Sequence, residues 1–279
     1  MLYFAYDGTI HGDWLSHYAV RLALHHAEQQ LTLIHVDDGN VSQEALADRL
    51  HLLEDRCALV SIGLDVRVVP LRRSVTNTLT DLIPADQGTL LVCGTRRRHI
   101  SQGYLSGTTA ERLMALQRFP VLAVRVVNPG LLGHPRKLLL PVVRDDTPLA
   151  NGLPFLRLLA PDLDELHLLQ VAEVSRFGFR AMAQSQWQHL YRKALEPARR
   201  DEQWLREQLD LGDVTVDSRV VVTDDGPKEI IIAANHLKSQ LIFIGAFSRN
   251  LAGRFLYGDP LEQVLRNAPC DVAIYKGVA

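Results

Sequence analysis

Short apolar runs alternate along this chain with longer stretches whose apolar residues recur every three or four positions. The runs Leu2–Tyr6, Leu31–Val36, Val66–Pro70, Thr89–Cys93 and Val121–Val126 predict five strands, with helices between them. Strands that read as near-continuous apolar runs belong in a parallel sheet covered by helices on both faces. The order then returns, with strands predicted at Leu138–Val143, Leu166–Val171, Thr215–Val222, Gln240–Ile244 and Asp271–Tyr275.

The second set is a repeat of the first. Leu91-Val92-Cys93-Gly94 recurs as Ile242-Phe243-Ile244-Gly245, 151 positions on, and Gly107 recurs at the same distance as Gly258. An apolar run ending in a base, Val121 to Arg125, recurs as Val272 to Lys276. At the front of each copy Leu2 to Asp7 matches Leu138 to Val143 at an offset of only 136, so the second copy has gained 15 residues in its middle. The long helical stretch Val174 to Leu209 is the place, against the shorter Ser42 to Ile62 of the first copy. Asn128-Pro129-Gly130 to Gly133-His134-Pro135 is rich in breakers and reads as the linker. The expected fold is α/β: two doubly wound, five-stranded parallel-sheet domains in tandem, over residues 1–128 and 136–279, the second with an insertion near 174–209.

Composition narrows the function classes. A chain of 279 residues suits two such units, and 22% charged residues with a net charge of -2 lack the basic excess of a nucleic-acid binder. No apolar stretch is long enough to cross a bilayer, and the first residues read as a strand rather than a leader. A cytoplasmic protein with no nucleic-acid or membrane partner is expected. Cys57, Cys93 and Cys270 are too far apart for a metal or redox pair and read as buried thiols. The 11 histidines are scattered, so no metal site is expected. Trp187, Tyr191 and Trp204 are spaced as a packing face, with a groove or lid as the other reading.

In a doubly wound sheet the ligand sits beyond the carboxyl ends of the strands, where strand order reverses. In the first copy those ends carry Asp7-Gly8-Thr9, Val36-Asp37-Asp38 and Gly94-Thr95-Arg96-Arg97. The last of these loops runs on to Gly107-Thr108-Thr109 at the start of a helix, where free amides and the helix dipole favour an anion.

Gly94, Gly107 and Thr108 stand at the spacing of a loop of Gly, two residues, Gly, nine residues and Gly-Ser or Gly-Thr. With Asp7 after the first strand, the chain resembles the ATP-binding universal stress proteins, twice over nearly its whole length. The resemblance implies domains of the adenine-nucleotide alpha-hydrolase-like type and a stress-response or signalling role. It also implies ATP, with or without a magnesium ion, in the first domain only. Asp7, with Thr9 beside it, would read adenine, and the Val36 backbone would assist. Gly94, Arg97, Gly107, Thr108 and Thr109 would hold the phosphates. The family pairs domains through their last strands, here Val121–Val126 and Asp271–Tyr275, which implies an intrachain pseudo-dimer and leaves a homodimer and an unknown protein partner open.

Departures from the family pattern matter too. Arg97 stands where the middle Gly belongs, either blocking the loop or pairing with phosphate, and Arg96, Arg98 and His99 make this mouth electropositive. Arg72-Arg73-Ser74 lacks the glycine usual after the third strand. The second copy has lost more: Val143 replaces the adenine-reading Asp, Ser248 the middle Gly, and Asp259-Pro260 the Ser/Thr and its neighbour. Arg144, Asp145 and Asp146 nearby read as capping residues or as contacts for some other ligand. No base or nucleophile stands beside the phosphate loop, so no catalytic residue is named and a binding protein is expected rather than an enzyme. A nucleotide-free scaffold, or a binder of another small molecule, is the alternative. A slow ATPase or adenylate-using transferase ranks third.

Overall fold

The computed structural model describes residues 1–86, 88–95, 103–143, 149–180, 182–246 and 260–278. The chain divides into two units, Met1–His134 with Ile274–Ala279, and Pro135–Ala273. The first holds β1 (Leu2–Tyr6), α1 (Ile10–His25), β2 (Gln30–Asp37), α2 (Gln43–Leu59), β3 (Gly63–Pro70), α3 (Val75–Leu82), β4 (Leu90–Gly94), α4 (Thr109–Leu116) and β5 (Val121–Arg125). Its strands are parallel, in the order β3-β2-β1-β4-β5. Strand order therefore reverses at β1, and the crevice between β1 and β4 is where this topology places a ligand.

Local chemistry starts each helix of this unit in the same way. Thr9, Ser42, Ser74 and Thr108 sit at the N-caps of α1 to α4, and each hydroxyl accepts an amide of the first turn. Such a cap contributes about 1 kcal/mol. Between the helix layers, Phe4, Leu33, Leu91 and Val92 on the strands and Tyr18 and Leu22 on α1 are buried. The predicted strands hold with small shifts of their ends. The largest is at β3, which starts at Gly63 rather than Val66, because its backbone pairs with β2 from Gln30 onward while its side chains stay largely exposed at the sheet edge.

The second copy of the sequence repeat holds β6 (Lys137–Val142), α5 (Leu153–Leu159), β7 (Glu165–Glu173), α6 (Arg176–Arg180), α7 (Gln184–Gln208), β8 (Thr215–Thr223), α8 (Gly226–His236), β9 (Leu241–Gly245), α9 (Pro260–Asn267) and β10 (Asp271–Lys276), the last of which runs from the second unit into the segment counted with the first. The order runs β8-β7-β6-β9, with β10 beside β9. Leu2 pairs with Leu90 across β1 and β4, and Leu138 pairs with Leu241 across β6 and β9. Both sequence offsets meet in that one register, so the added residues enter between the first and fourth strands of the second copy. There α6 and α7 replace the single α2.

The insertion packs differently from its sequence pattern. Ala194, Ala198 and Leu205 are the buried residues of α7, which lies on β7 and β8. Small side chains let the helix approach the sheet closely. Trp187, expected on a packing face, is 39% exposed and stacks on Tyr191 at 5.1 Å between ring centroids. Among the described residues, no helix is long and apolar enough to cross a membrane. All three cysteines are buried and none is in a disulfide, and burial pushes the Cys57 thiol up to about 11 and the Cys93 thiol up to about 12.

Candidate functional site

β1 delivers Asp7 to the crevice, and the residues after it hold that carboxylate still. Gly8 has φ +71°, and a Cβ there would lie 3.0 Å from Val41 and 3.1 Å from His35, so glycine meets both the turn and the crowding. Asp7 Oδ1 accepts the Thr9 amide at 3.0 Å and the Thr9 hydroxyl at 2.8 Å. Gly12, one turn into α1, leaves the space the carboxylate fills: a Cβ there would come within 2.5 Å of Asp7 Oδ1 and 2.8 Å of the Tyr6 ring.

Beside Asp7 lies a partly buried polar cluster. His35 on β2 faces the Tyr6 carbonyl at 3.0 Å through Nδ1, and because a carbonyl only accepts, Nδ1 carries the hydrogen. The Tyr6 hydroxyl donates to Asp13 at 2.5 Å, and Asp13 pairs with Arg49. Burial, then the hydrogen bond to Asp13, raises the Tyr6 phenol far above its ordinary range. Tyr6 is therefore a neutral, fixed wall of the crevice.

The crevice is a cavity of about 560 Å³, within the size range of small-molecule sites. Asp7, Val36, Gly94, Gly107, Thr108 and Thr109 all line it. Six of the eight residues expected from the sequence thus converge, although they come from four separate segments. Thr9 does not line the cavity; it caps α1, accepting the Gly12 amide at 3.4 Å, and orients Asp7. Arg97 lies outside the described residues, as do Arg96, Arg98 and His99. In the second unit Val143 is half-buried after β6 and Pro260 opens α9. Ser248, Gly258, Asp259, Arg144, Asp145 and Asp146 lie outside the described residues.

The two glycines serve different ends. Gly107 has φ +78° with no atom of the described residues within 4 Å of an added Cβ, so backbone conformation demands glycine there. At Gly94 a Cβ would make only an ordinary contact among the described residues, 3.5 Å from Leu15, so their packing does not require glycine. The start of α4 is partly occupied by the chain itself. Gly107 donates its amide to Glu111 Oε2 at 2.6 Å, and Thr108 donates its amide to Leu105 O at 3.1 Å and its hydroxyl to the same carbonyl at 2.5 Å. Among the described residues, the amides of Thr109 and Ala110 are the first-turn donors not engaged in this way.

Sequence reasoning passed over four residues around this cavity: Glu111, Thr95, Tyr104 and Arg125. Thr95 follows β4 at 6% exposure, and its hydroxyl has no hydrogen-bond partner. Arg125 ends β5 with its guanidinium 4.6 Å over the Tyr104 ring, and its Nη1 is buried without a partner. Thr95, Tyr104 and Arg125 line the cavity. The base closing the last apolar run of each copy was the available signal for Arg125. Asp7 and Asp38 from the ends of β1 and β2, and Arg112 and Arg125 from α4 and β5, give the wall both signs of charge.

The model of the universal stress protein family matches residues 3–125 and again residues 155–276. The chain belongs to that family, as two domains in tandem, and membership supports a stress-response role. It is similar in structure to a universal stress protein from Archaeoglobus fulgidus DSM 4304, with TM-score 0.58, 14% identity, and 99% of this chain and 96% of that one covered. A functionally unknown protein from Pseudomonas aeruginosa PAO1 matches with TM-score 0.57, 15% identity and coverage of 99% and 92%. The cytoplasmic domain of a prokaryotic cation chloride cotransporter matches with TM-score 0.53, 13% identity and coverage of 99% and 95%. At such identities these likenesses concern the fold. No curated protein matches the chain in sequence.

Proposed function

We propose that this protein is a nucleotide-responsive stress module that binds one adenine nucleotide per chain, in the cavity of its first unit. The observation that carries this reading is the convergence of Asp7, Val36, Gly94 and the Gly107–Thr109 turn on one cavity of about 560 Å³. The base would sit at Asp7 and the Val36 backbone. The phosphates would lie toward the start of α4, where helix dipole and amides favour negative charge. Glycine at position 94, which packing among the described residues does not require, leaves room for a ligand to approach the backbone. ATP, with or without magnesium, matches the two ends of the cavity in chemical terms: a hydrogen-bonding base toward Asp7 and an anion toward α4. Binding would favour one conformation over another and so alter contacts with a partner.

A second reading has its own observation. The Gly107 amide is already held by Glu111 and the Thr108 amide by Leu105, which suits a scaffold that has filled its cradle or that takes another small molecule. Mass spectrometry of small molecules released from the purified protein, followed by calorimetric titration with ATP, ADP and adenosine, separates the two. A co-purified adenine nucleotide and one saturable site support the first. No binding at millimolar nucleotide supports the second. We read the protein as a binder rather than an enzyme, and ATP hydrolysis that depends on Thr108 would overturn that.

A further inference from the structure

We propose that Arg125, braced by Tyr104 and assisted by Thr95, is the group that holds the anionic end of the ligand in the first-unit cavity. This deepens the nucleotide reading and rests on it for the identity of the ligand, but not for the anion.

A guanidinium offers five donors and is not deprotonated in a protein, so a buried nitrogen of Arg125 without an acceptor costs free energy unless something outside the chain supplies one. Among the described residues none does. The Tyr104 ring under the guanidinium fixes the plane of the fork without using its edge nitrogens, the arrangement that leaves an arginine ready for a bidentate acceptor. Thr95 adds a second unsatisfied group on the same wall. It follows β4, donates its amide to Val124 O at 3.0 Å beside Arg125, and is nine-tenths buried with its hydroxyl unpartnered. Two orphaned polar groups from neighbouring strands, both lining one cavity, call for a ligand with several acceptor oxygens.

A phosphate or diphosphate is the class that matches. A carboxylate would satisfy the fork, but a phosphoryl group also presents a further oxygen to Thr95 and to the Thr109 and Ala110 amides. This arrangement also accounts for the self-capped start of α4. With Gly107 and Thr108 engaged internally, the charge for holding the anion comes from β5 rather than from the helix alone.

The test is calorimetric titration of the full chain with adenosine, ADP and inorganic pyrophosphate, for the native protein and for Arg125→Gln, Arg125→Lys and Thr95→Val. Thermal melts establish that each variant folds. Native protein is expected to bind ADP more tightly than adenosine. Arg125→Gln is expected to lose about 10- to 100-fold for ADP while leaving adenosine within about twofold. Arg125→Lys should recover part of that loss and Thr95→Val should show a loss of a few-fold. Unchanged ADP affinity in Arg125→Gln overturns the proposal, and so does an equal loss for ADP and adenosine, which would mark Arg125 as a structural residue. If the native protein binds pyrophosphate through Arg125 but binds neither adenosine nor ADP, the anion site stands and the nucleotide reading falls. If it binds none of the three, both fall.

Discussion

The carboxyl edges of the two sheets follow one plan and differ in what they present to a ligand. After β1 stands Asp7, locked by Thr9; after β6, at the matching place, stands Val143. After β4 stands Thr95 with its unpartnered hydroxyl; after β9 stands the buried Ala246. His35 pairs in register with Tyr6 and bonds its carbonyl, whereas Gln170 pairs with Val142 and its buried side-chain oxygen has no partner. The apolar register beneath these residues is the same in both copies. Strand interiors are held by burial, where losing a large side chain costs about 2–5 kcal/mol, while polar groups at the edge are free to diverge.

The largest expected consequence is a difference in affinity between the two edges. With Val143 and Ala246 in place of Asp7 and Thr95, the second unit should bind adenine nucleotide about a hundredfold or more weakly, a gap of about 2.7 kcal/mol. Equilibrium dialysis should then return one nucleotide per chain, and two equal sites would end the comparison. Next is Gly12→Ala, whose methyl would press on both Asp7 and Tyr6. Overpacking of this kind costs about 1–3 kcal/mol, to be read as a lower midpoint in urea. The variant should also lose nucleotide affinity through the displaced carboxylate; unchanged stability and binding would mean that α1 moves freely. On the proposed reading Asp7→Ala would remove one hydrogen-bonding partner of the base and should weaken ADP about tenfold without lowering the melting temperature, measured by calorimetry and a thermal scan.

The smallest expected effect lies at the opposite ends of the strands. In the second unit His167 bridges Asp217 and Glu165, and Glu165 pairs with Lys137 at 2.6 Å. In the first unit the place opposite Asp65 is held by Thr32. Hydrogen bonds from Lys137 and then His167 hold the Glu165 carboxyl below its ordinary range. At Asp217 burial pushes upward, but the bonds from His167 and Arg219 outweigh it and the net shift is down. A carboxyl lowered on folding adds stability that is complete above its unfolded value and drains away as pH falls through the folded one. Asp217→Asn should therefore cost about 1 kcal/mol at neutral pH, given its partial exposure, and nothing once both forms are protonated. Urea midpoints from pH 7 down to pH 3 would check this, and an equal pH slope in Asp65→Asn would erase the contrast between the units.

Much of this molecule was legible from residue order alone. The strands showed as apolar runs because parallel strands are buried on both faces, and the repeat offsets translated directly into the pairings Leu2 with Leu90 and Leu138 with Leu241. Asp7, Gly94 and Gly107 could be found because a doubly wound sheet places its strand ends together. Glu111, Thr95 and Tyr104 could not, since what singles them out, a captured amide, an unpartnered hydroxyl and a ring under a guanidinium, is a property of three-dimensional neighbours. Thr9 shows how one residue can serve two ends: its hydroxyl caps α1 and also holds the Asp7 carboxylate. The aromatic spacing on α7 misled because alanines, which carry little pattern, let the helix settle on the sheet.

The burial of all three cysteines bears on which stresses this protein can register. Oxidants and electrophiles react with thiolates, and a thiol raised to about 11, as at Cys57, is ionised in only about one molecule in ten thousand at neutral pH. Cys93, in the cavity wall and higher still, is more inert while the wall stays closed. Peroxide should react slowly with either of these two thiols while they stay buried. Slow labelling of Cys93 by a thiol reagent would instead clock the opening of the first sheet's edge, a built-in chemical timer for its breathing.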